Sequence, residues 1–207
     1  MERKESLQFE HYSIYQDESL GCFSEDSIAL SSFAELRSDW RVLDLGTGNG
    51  ILAILGEAKH HCAFTGIDIN PAQLELARKS AFENHQQIDF VHLDYRDAPA
   101  FFGHGSFNAI VCNPPYFHNG DISQNRSLAL ARHQSQDDFN LLLQSAFLLL
   151  KNGGMLYICY PSRDLCSLLC LLRENRLEPK TLCFPRDSLV LAACKKLGKA
   201  GLRISNL

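Results

Sequence analysis

The chain has 207 residues, 45% of them hydrophobic, enough for one well-buried core and too few for two ordinary domains. Its formal net charge of -4 hides a division: from Arg173 onward eight basic residues face three acidic ones, leaving the first 172 residues with 12 basic and 21 acidic. A basic end on an acidic chain suits a polyanionic partner or simply a solvated face.

The opening Met1-Glu2-Arg3-Lys4-Glu5-Ser6 is charged, with no secretory apolar stretch behind it. The longest apolar block, residues 141–150, is too short and too interrupted to cross a bilayer. A cytoplasmic protein without membrane contact is expected. The eight cysteines show no CxxC pair and several lie in apolar runs, where a reduced thiol acts as a small hydrophobe. Cys166 and Cys170 could share a helix face, but no second pair stands at a matching spacing, so no metal site is expected.

In the first forty residues, Phe9, Tyr12, Ile14 and Tyr15 suggest a small hairpin or strand, and Ser27 to Leu36 a helix. A regular alternation then begins. Arg41 to Leu45 reads as a strand ending in the turn Gly46-Thr47-Gly48-Asn49-Gly50, with a helix from Ile51 to Lys59. Ala63 to Asp68 is a second strand. Asn70 caps a helix that has Pro71 at its first position and runs to about His85. Ile88 to Leu93 and Phe107 to Cys112 are strands three and four. A polar loop from Tyr116 to Gln136 is of a length that usually carries function. A helix from about Asp137 to Lys151 ends at Asn152-Gly153-Gly154, followed by a strand from Met155 to Tyr160. Pro161 is expected to open a helix to about Asn175. Leu177 to Phe184 and Ser188 to Lys195 read as two last strands joined at Pro185-Arg186-Asp187. The pattern predicts a doubly wound, Rossmann-like α/β sheet of seven strands, mostly parallel, with one closing antiparallel strand.

Glycines between the first strand and its helix let a ligand approach the backbone and the amides of a helix N-terminus. A dinucleotide fingerprint wants GxGxxG, but Ile51 stands where its third glycine would fall. GxGxG after an acidic strand end is instead the pattern of S-adenosylmethionine binding, with Asp44 holding the methionine part through its ammonium or a water. Asp68 ends strand two, where an acid accepts from ribose hydroxyls. Asp94 is expected to end strand three, where its carboxylate or the Tyr95 amide reads an adenine edge. Any one acid serves equally well as a cap. Three successive acid-ended strands point to a ligand at the carboxyl edge of the sheet.

Asn113-Pro114-Pro115-Tyr116 follows strand four. It places an amide and rigid backbone carbonyls beside a flat ring, which suits a planar NH2 awaiting a methyl group. The nitrogen lone pair of such a group is delocalised. Acceptors for its two hydrogens, the Asn113 side-chain oxygen and the Pro114 carbonyl, push it toward tetrahedral geometry, so placement and electrostatics supply most of the rate. Tyr116 and Phe117 would stack on the base.

From residue 41 to 195 the chain resembles the class I S-adenosylmethionine-dependent methyltransferases with an Asn-Pro-Pro-Tyr motif. It is most similar to the bacterial tRNA1(Val) (adenine(37)-N6)-methyltransferases, on Leu7-Gln8-Phe9 through Tyr15-Gln16, Ser24-Glu25-Asp26-Ser27-Ile28-Ala29-Leu30, Asn113 to Phe117, and Ala131-Arg132-His133-Gln134. The resemblance implies a cofactor set of Asp44, Gly46, Thr47, Gly48, Asp68, Ile69, Asp94, Tyr95 and Asn113. It further implies that Asn113, Pro114, Pro115 and Tyr116 hold the amine while Phe117, Arg132 and His133 meet the RNA. Residues 1–40 would form an extension on the cofactor end and residues 41–207 the methyltransferase domain, acting as a monomer on tRNA.

The same motif serves three acceptors: adenine N6, guanine N2 in ribosomal RNA, and the glutamine amide of a release factor. Forty residues are too few for the helical N-terminal domain usual in glutamine enzymes, and a DNA acceptor usually brings a target-recognition domain. A non-catalytic RNA-binding relative would not need both Asn113 and Asp68.

Overall fold

The computed structural model describes residues 1–7, 11–114 and 136–206. The chain enters as an antiparallel hairpin of Glu2–Ser6 (β1) and Ser13–Asp17 (β2), then helix Glu25–Phe33 (α1). Alternation follows through Arg41–Leu45 (β3), Ile51–His60 (α2), Ala63–Asp68 (β4), Pro71–Glu83 (α3), Asp89–His92 (β5), Ala98–Phe102 (α4) and Phe107–Cys112 (β6). Gln136–Leu149 (α5), Leu150–Pro161 (β7), Leu165–Glu174 (α6), Leu177–Arg186 (β8), Leu189–Lys196 (β9) and Arg203–Ser205 (β10) complete it.

Among the described residues eight strands form one sheet in the order β10-β8-β9-β7-β6-β3-β4-β5. Only β9 runs against its neighbours, pairing antiparallel with both β7 and β8. This is the doubly wound, mostly parallel sheet anticipated, with one strand more than the seven expected. Three residues of β10 pair parallel with β8 through Thr181, Leu182 and Cys183, too short a segment for hydrophobic periodicity to reveal.

Side-chain alternation divides the core. Val42, Phe64, Phe90, Ala109, Val111, Tyr157 and Cys159 face helices α1 to α3, where Leu30, Ile54, Leu74 and Ala77 bury themselves. Leu43, Leu45, Ile67, Ile110, Cys112, Leu156 and Ile158 face the opposite side, against Phe139, Leu143, Leu168 and Leu172 of α5 and α6. Burying each such large side chain contributes roughly 1.5–3 kcal/mol. The same parity puts Asp44, Asp68 and Asn113 on the α1–α3 face.

Several boundaries move for identifiable reasons. Asn70 caps α3 by accepting from the Ala72 amide at 3.0 Å, as the Asn-Pro signal predicts. Helix α1 begins earlier than expected, at Glu25, and ends at Phe33. Helix α5 ends at Leu149, because Leu150 already pairs with Phe107, and Gly153 at φ 78° turns the backbone inside β7 rather than capping the helix. Pro161 closes β7, and a 3-10 turn over Ser162–Asp164 precedes α6. Arg186 still pairs with Leu189, so the final hairpin turns at Asp187-Ser188.

The hairpin β1-β2 lies on α3: the Tyr15 amide donates to Ser80 Oγ at 2.8 Å and the Ser13 amide to Asn84 Oδ1 at 2.9 Å. Phe9 lies outside the described residues. Tyr157 on β7 donates its hydroxyl to the Glu35 carbonyl at 2.7 Å, tying the end of the α1 segment to the sheet. Among the described residues no helix is long and apolar enough to cross a membrane.

Close approach at Gly66 seats the glycine turn on β4. A Cβ there would stand 2.7 Å from the Phe90 ring and 2.8 Å from Thr47 Oγ1. Gly66→Ala should cost about 1–3 kcal/mol by overpacking, measured in urea melts, with Phe90→Leu recovering part of it. An equal loss with and without Phe90→Leu would rule out the contact.

Candidate active site

The Asp44 side chain is fully buried at the end of β3. Its Oδ2 accepts from Thr47 Oγ1 at 2.6 Å and from the Ala53 amide at 3.2 Å, so one carboxylate oxygen holds both the glycine turn and the first turn of α2. The positive end of α2 favours the charge. Desolvation nevertheless outweighs these bonds and, with Asp68 nearby, pushes the carboxyl up to about 7. Gly46, Gly48 and Gly50 all take positive φ, 76°, 55° and 86°, which a side chain resists. The amides of Gly46 and Thr47 both donate to the Ile67 carbonyl, lashing the turn to β4.

Asp68 closes the other side. Its Oδ2 accepts from the Gly48 amide and its Oδ1 from the Asn70 amide, both at 2.8 Å. Burial raises this carboxyl against those bonds. Beyond it, the Ile69 side chain is 63% exposed.

Two observations fit a polar ligand with a cationic end. Asp44 Oδ1 and Asn49 Nδ2 are buried polar atoms with no hydrogen-bond partner among the described residues, a costly state that calls for explanation. Above the turn there is room, since a Cβ built at Gly46 or Gly48 would meet nothing within 4 Å. Asn49 escaped the sequence reading; its only signal was its place between Gly48 and Gly50.

Asn113 stands just beyond β6. Val111 is the register partner of Asp44, so Asn113, two residues later on the same face, comes out beside the glycine turn. Cys112 Sγ donates to the Leu45 carbonyl at 3.1 Å, stitching these two strand ends together. Asn113 Nδ2 donates to Ser27 Oγ at 2.8 Å and approaches Ser24 Oγ at 3.5 Å, while its Oδ1 accepts from Cys159 Sγ at 2.8 Å. Pro114 is buried. The Ser24 and Ser27 contacts were missed as physical features, although a hydroxyl at the N-cap of α1 and one three residues on, in its first turn, share a face.

Asp94 departs from expectation. Strand β5 stops at His92, and the Asp94 carboxylate is gripped by Arg96, whose Nε donates at 3.0 Å and whose Nη2 donates at 2.6 Å. That guanidinium holds the carboxyl below its usual range. Adjacent sequence placed a stronger partner beside the acid than strand-end position alone suggested. Tyr95 donates its hydroxyl to the Asp138 carbonyl at 3.2 Å, at the start of α5. Pro115, Tyr116, Phe117, Arg132 and His133 lie outside the described residues.

The basic end is partly spent internally. Arg186 pairs with Glu25 at 3.2 Å and with the buried Asp26, Arg173 pairs with Glu178, and the Lys196 ammonium is buried against the Leu150 carbonyl. Among the described residues no three His, Cys, Asp or Glu side chains gather to hold a metal ion.

The strand order, the glycine turn after the first strand of the sheet and the acids on its carboxyl edge define a class I methyltransferase fold. A family profile described as "Methyltransferase domain" matches residues 36–192, and the chain belongs to that family. It is similar to the tRNA1(Val) (adenine(37)-N6)-methyltransferase of Vibrio campbellii, 32% identical over 72% of this chain and 62% of that one. The enzyme of the same name from Shewanella amazonensis is 31% identical over 72% of this chain and 66% of that one. The resemblance seen in the motifs is thus borne out, although the chain spans only about two thirds of the length of these relatives. Among solved structures, TrmN from Thermus thermophilus superposes with a TM-score of 0.61 at 23% identity, over 83% of this chain and 48% of that one. A ribosomal protein L11 methylase from Lactobacillus delbrueckii gives 0.66 at 18% identity, over 88% and 84%, and shares the fold.

A carboxyl whose pKa rises on folding holds its proton more tightly in the folded state. The stability tied to that proton is complete below the ordinary value of 3.8 and is lost as pH climbs through about 7. Asp44→Asn, permanently neutral, should therefore melt above the parent chain at pH 8, by up to roughly 4 kcal/mol of stability, with the gap narrowing toward pH 5. Thermal melts without ligand measure this, and a gap independent of pH contradicts the buried carboxyl.

Proposed function

We propose that the chain transfers a methyl group from S-adenosylmethionine to N6 of an adenine in tRNA, adenine 37 of a valine tRNA. The observation that supports it best is the place of Asn113: its amide is held from two sides, on the same sheet face as the buried Asp44 turn and adjacent to it in register. The curated relatives carrying this activity in their names supply the acceptor.

When bound, the cofactor supplies an electrophilic methyl carried on a sulfonium. Asp44 Oδ1, the unpaired buried acceptor, would take the amino-acid ammonium directly or through a water. Asp68 would accept from the ribose hydroxyls, exchanging its bond to the Gly48 amide for them. The exposed Ile69 side chain offers an apolar face to the adenine ring. Asp94 keeps lone pairs beyond those Arg96 occupies to accept from the ring's amino group, and the Tyr95 amide donates to a ring nitrogen.

The acceptor amine has two hydrogens and a delocalised lone pair. Asn113 Oδ1, with one lone pair given to Cys159, has another for the first hydrogen, and the Pro114 carbonyl serves the second. Both acceptors favour the pyramidal nitrogen over the planar one, so their attraction grows toward the transition state. No side-chain base is required, because the cationic amine produced sheds its proton readily. Tyr116 and Phe117 would stack on the extruded base, and Arg132 and His133 would contact the RNA.

Asn113→Ala should lower methyl transfer by at least about 100-fold while S-adenosylhomocysteine binding, followed by calorimetry, stays within a few-fold of the parent. A variant that still transfers at the parent rate would refute the role of Asn113.

A further inference from the structure

The two ends of an asparagine amide have the same shape and opposite hydrogen-bonding character. An amine bearing two N–H donors is attracted by Oδ1 and repelled by Nδ2, so the Asn113 reaction depends on which end faces it. That choice is made by whatever holds the other atoms, since the terminal torsion of asparagine is intrinsically broad. Both holders are visible. Cys159, on β7, donates its thiol to Oδ1 from within the sheet. A reversed amide would aim N–H groups at sulfur, a weak acceptor. From the opposite side, Ser27 Oγ accepts from Nδ2 at 2.8 Å, with Ser24 Oγ behind it at 3.5 Å.

Ser27 belongs to no strand of the sheet. It rides on the first turn of α1, 3% exposed, and that turn is itself clamped. Arg186, from the last hairpin, bridges Glu25 and the 4% exposed Asp26, the residues immediately before Ser27. Leu30, fully buried, seats the next turn of the helix in the core beside α2. An ion pair in which only the acid is buried is a weak source of stability, but it fixes geometry. Here it fixes the helix turn that presents the Ser27 hydroxyl.

We propose that Ser27 is a positioning residue for methyl transfer. It holds Asn113 Nδ2 so that Oδ1 faces the acceptor amine, which makes helix α1 of the first forty residues a working part of the site rather than a cover for the sheet. This rests on the methyl-transfer reading of Asn113. It adds the element that orients the amide.

The test compares Ser27→Ala and Ser27→Thr with the parent chain, using labelled S-adenosylmethionine and an unmodified valine tRNA transcript. Ser27→Ala should lower kcat by about 10- to 100-fold, with the dissociation constant of S-adenosylhomocysteine and the KM for tRNA within about 3-fold of the parent. Ser27→Thr, which keeps the hydroxyl, should restore most of kcat. An independent readout follows the Asn113 side-chain NH2 by nitrogen-15 NMR, assigned by its loss in Asn113→Ala. Its hydrogens should exchange slowly in the parent and faster in Ser27→Ala.

An unchanged kcat or unchanged exchange in Ser27→Ala overturns the proposal, as does a Ser27→Thr variant as slow as Ser27→Ala. A parent chain that methylates no tRNA while its Asn113 exchange still responds to Ser27→Ala overturns the acceptor and upholds the clamp.

Discussion

A carboxylate that is fully buried beneath a glycine turn, with one oxygen bonded and the other bare, is the constraint on which this structure turns. The bonded oxygen of Asp44 joins Thr47 in the turn to Ala53 in α2. The bare oxygen is expensive, since an unpaired buried acceptor costs about 1–3 kcal/mol. With methyl transfer as the function, that cost is offset when a cationic cofactor arrives. In that reading, the carboxyl that burial raises to about 7 would give up its proton in favour of an ammonium group.

The remaining geometry follows from strand parity. Asp44, Asp68 and Asn113 lie on one face at or just past the ends of three parallel strands, so in the proposed reading a cofactor laid across the carboxyl edge would meet all three without any of them leaving its strand register. The glycine turn is pressed onto β4 at Gly66, and the thiol of Cys112 bonds β6 to the end of β3. Local rigidity of this kind is what a reaction governed by placement needs. The N-terminal segment completes the enclosure, with its hairpin on α3 and its helix against α2, β7 and Asn113.

How much of this could be read from the residues depends on range. Strands β3, β4 and β6 and the start of α3 carry local signals, an apolar run into an acid or a capped Asn-Pro, and those boundaries agree with the sequence reading. The placing of Asp44 and Asp68 on one edge was also legible, because each acid closes one of two successive parallel strands. The local partner of Asp94 went unread, a guanidinium two residues away that binds both carboxylate oxygens. The partners of Asn113 were invisible for a distant one: Ser27 lies 86 residues before it and Cys159 lies 46 after, and only the sheet brings them together. The basic C-terminal end shows the limit of counting charge, since Arg186 and Lys196 are turned inward to Asp26 and a backbone carbonyl.

If this edge of the sheet delivers a methyl group to an adenine amine, the RNA itself will carry the mark. The most direct measurement incubates the purified chain with S-adenosylmethionine carrying a deuterated methyl group and total tRNA from cells lacking the gene, then digests the RNA and resolves the nucleosides by mass spectrometry. Methyl transfer as proposed predicts deuterated N6-methyladenosine from a valine tRNA and from no other position. Label recovered in N2-methylguanosine, or in a glutamine of an added release factor with the tRNA unlabelled, would contradict it.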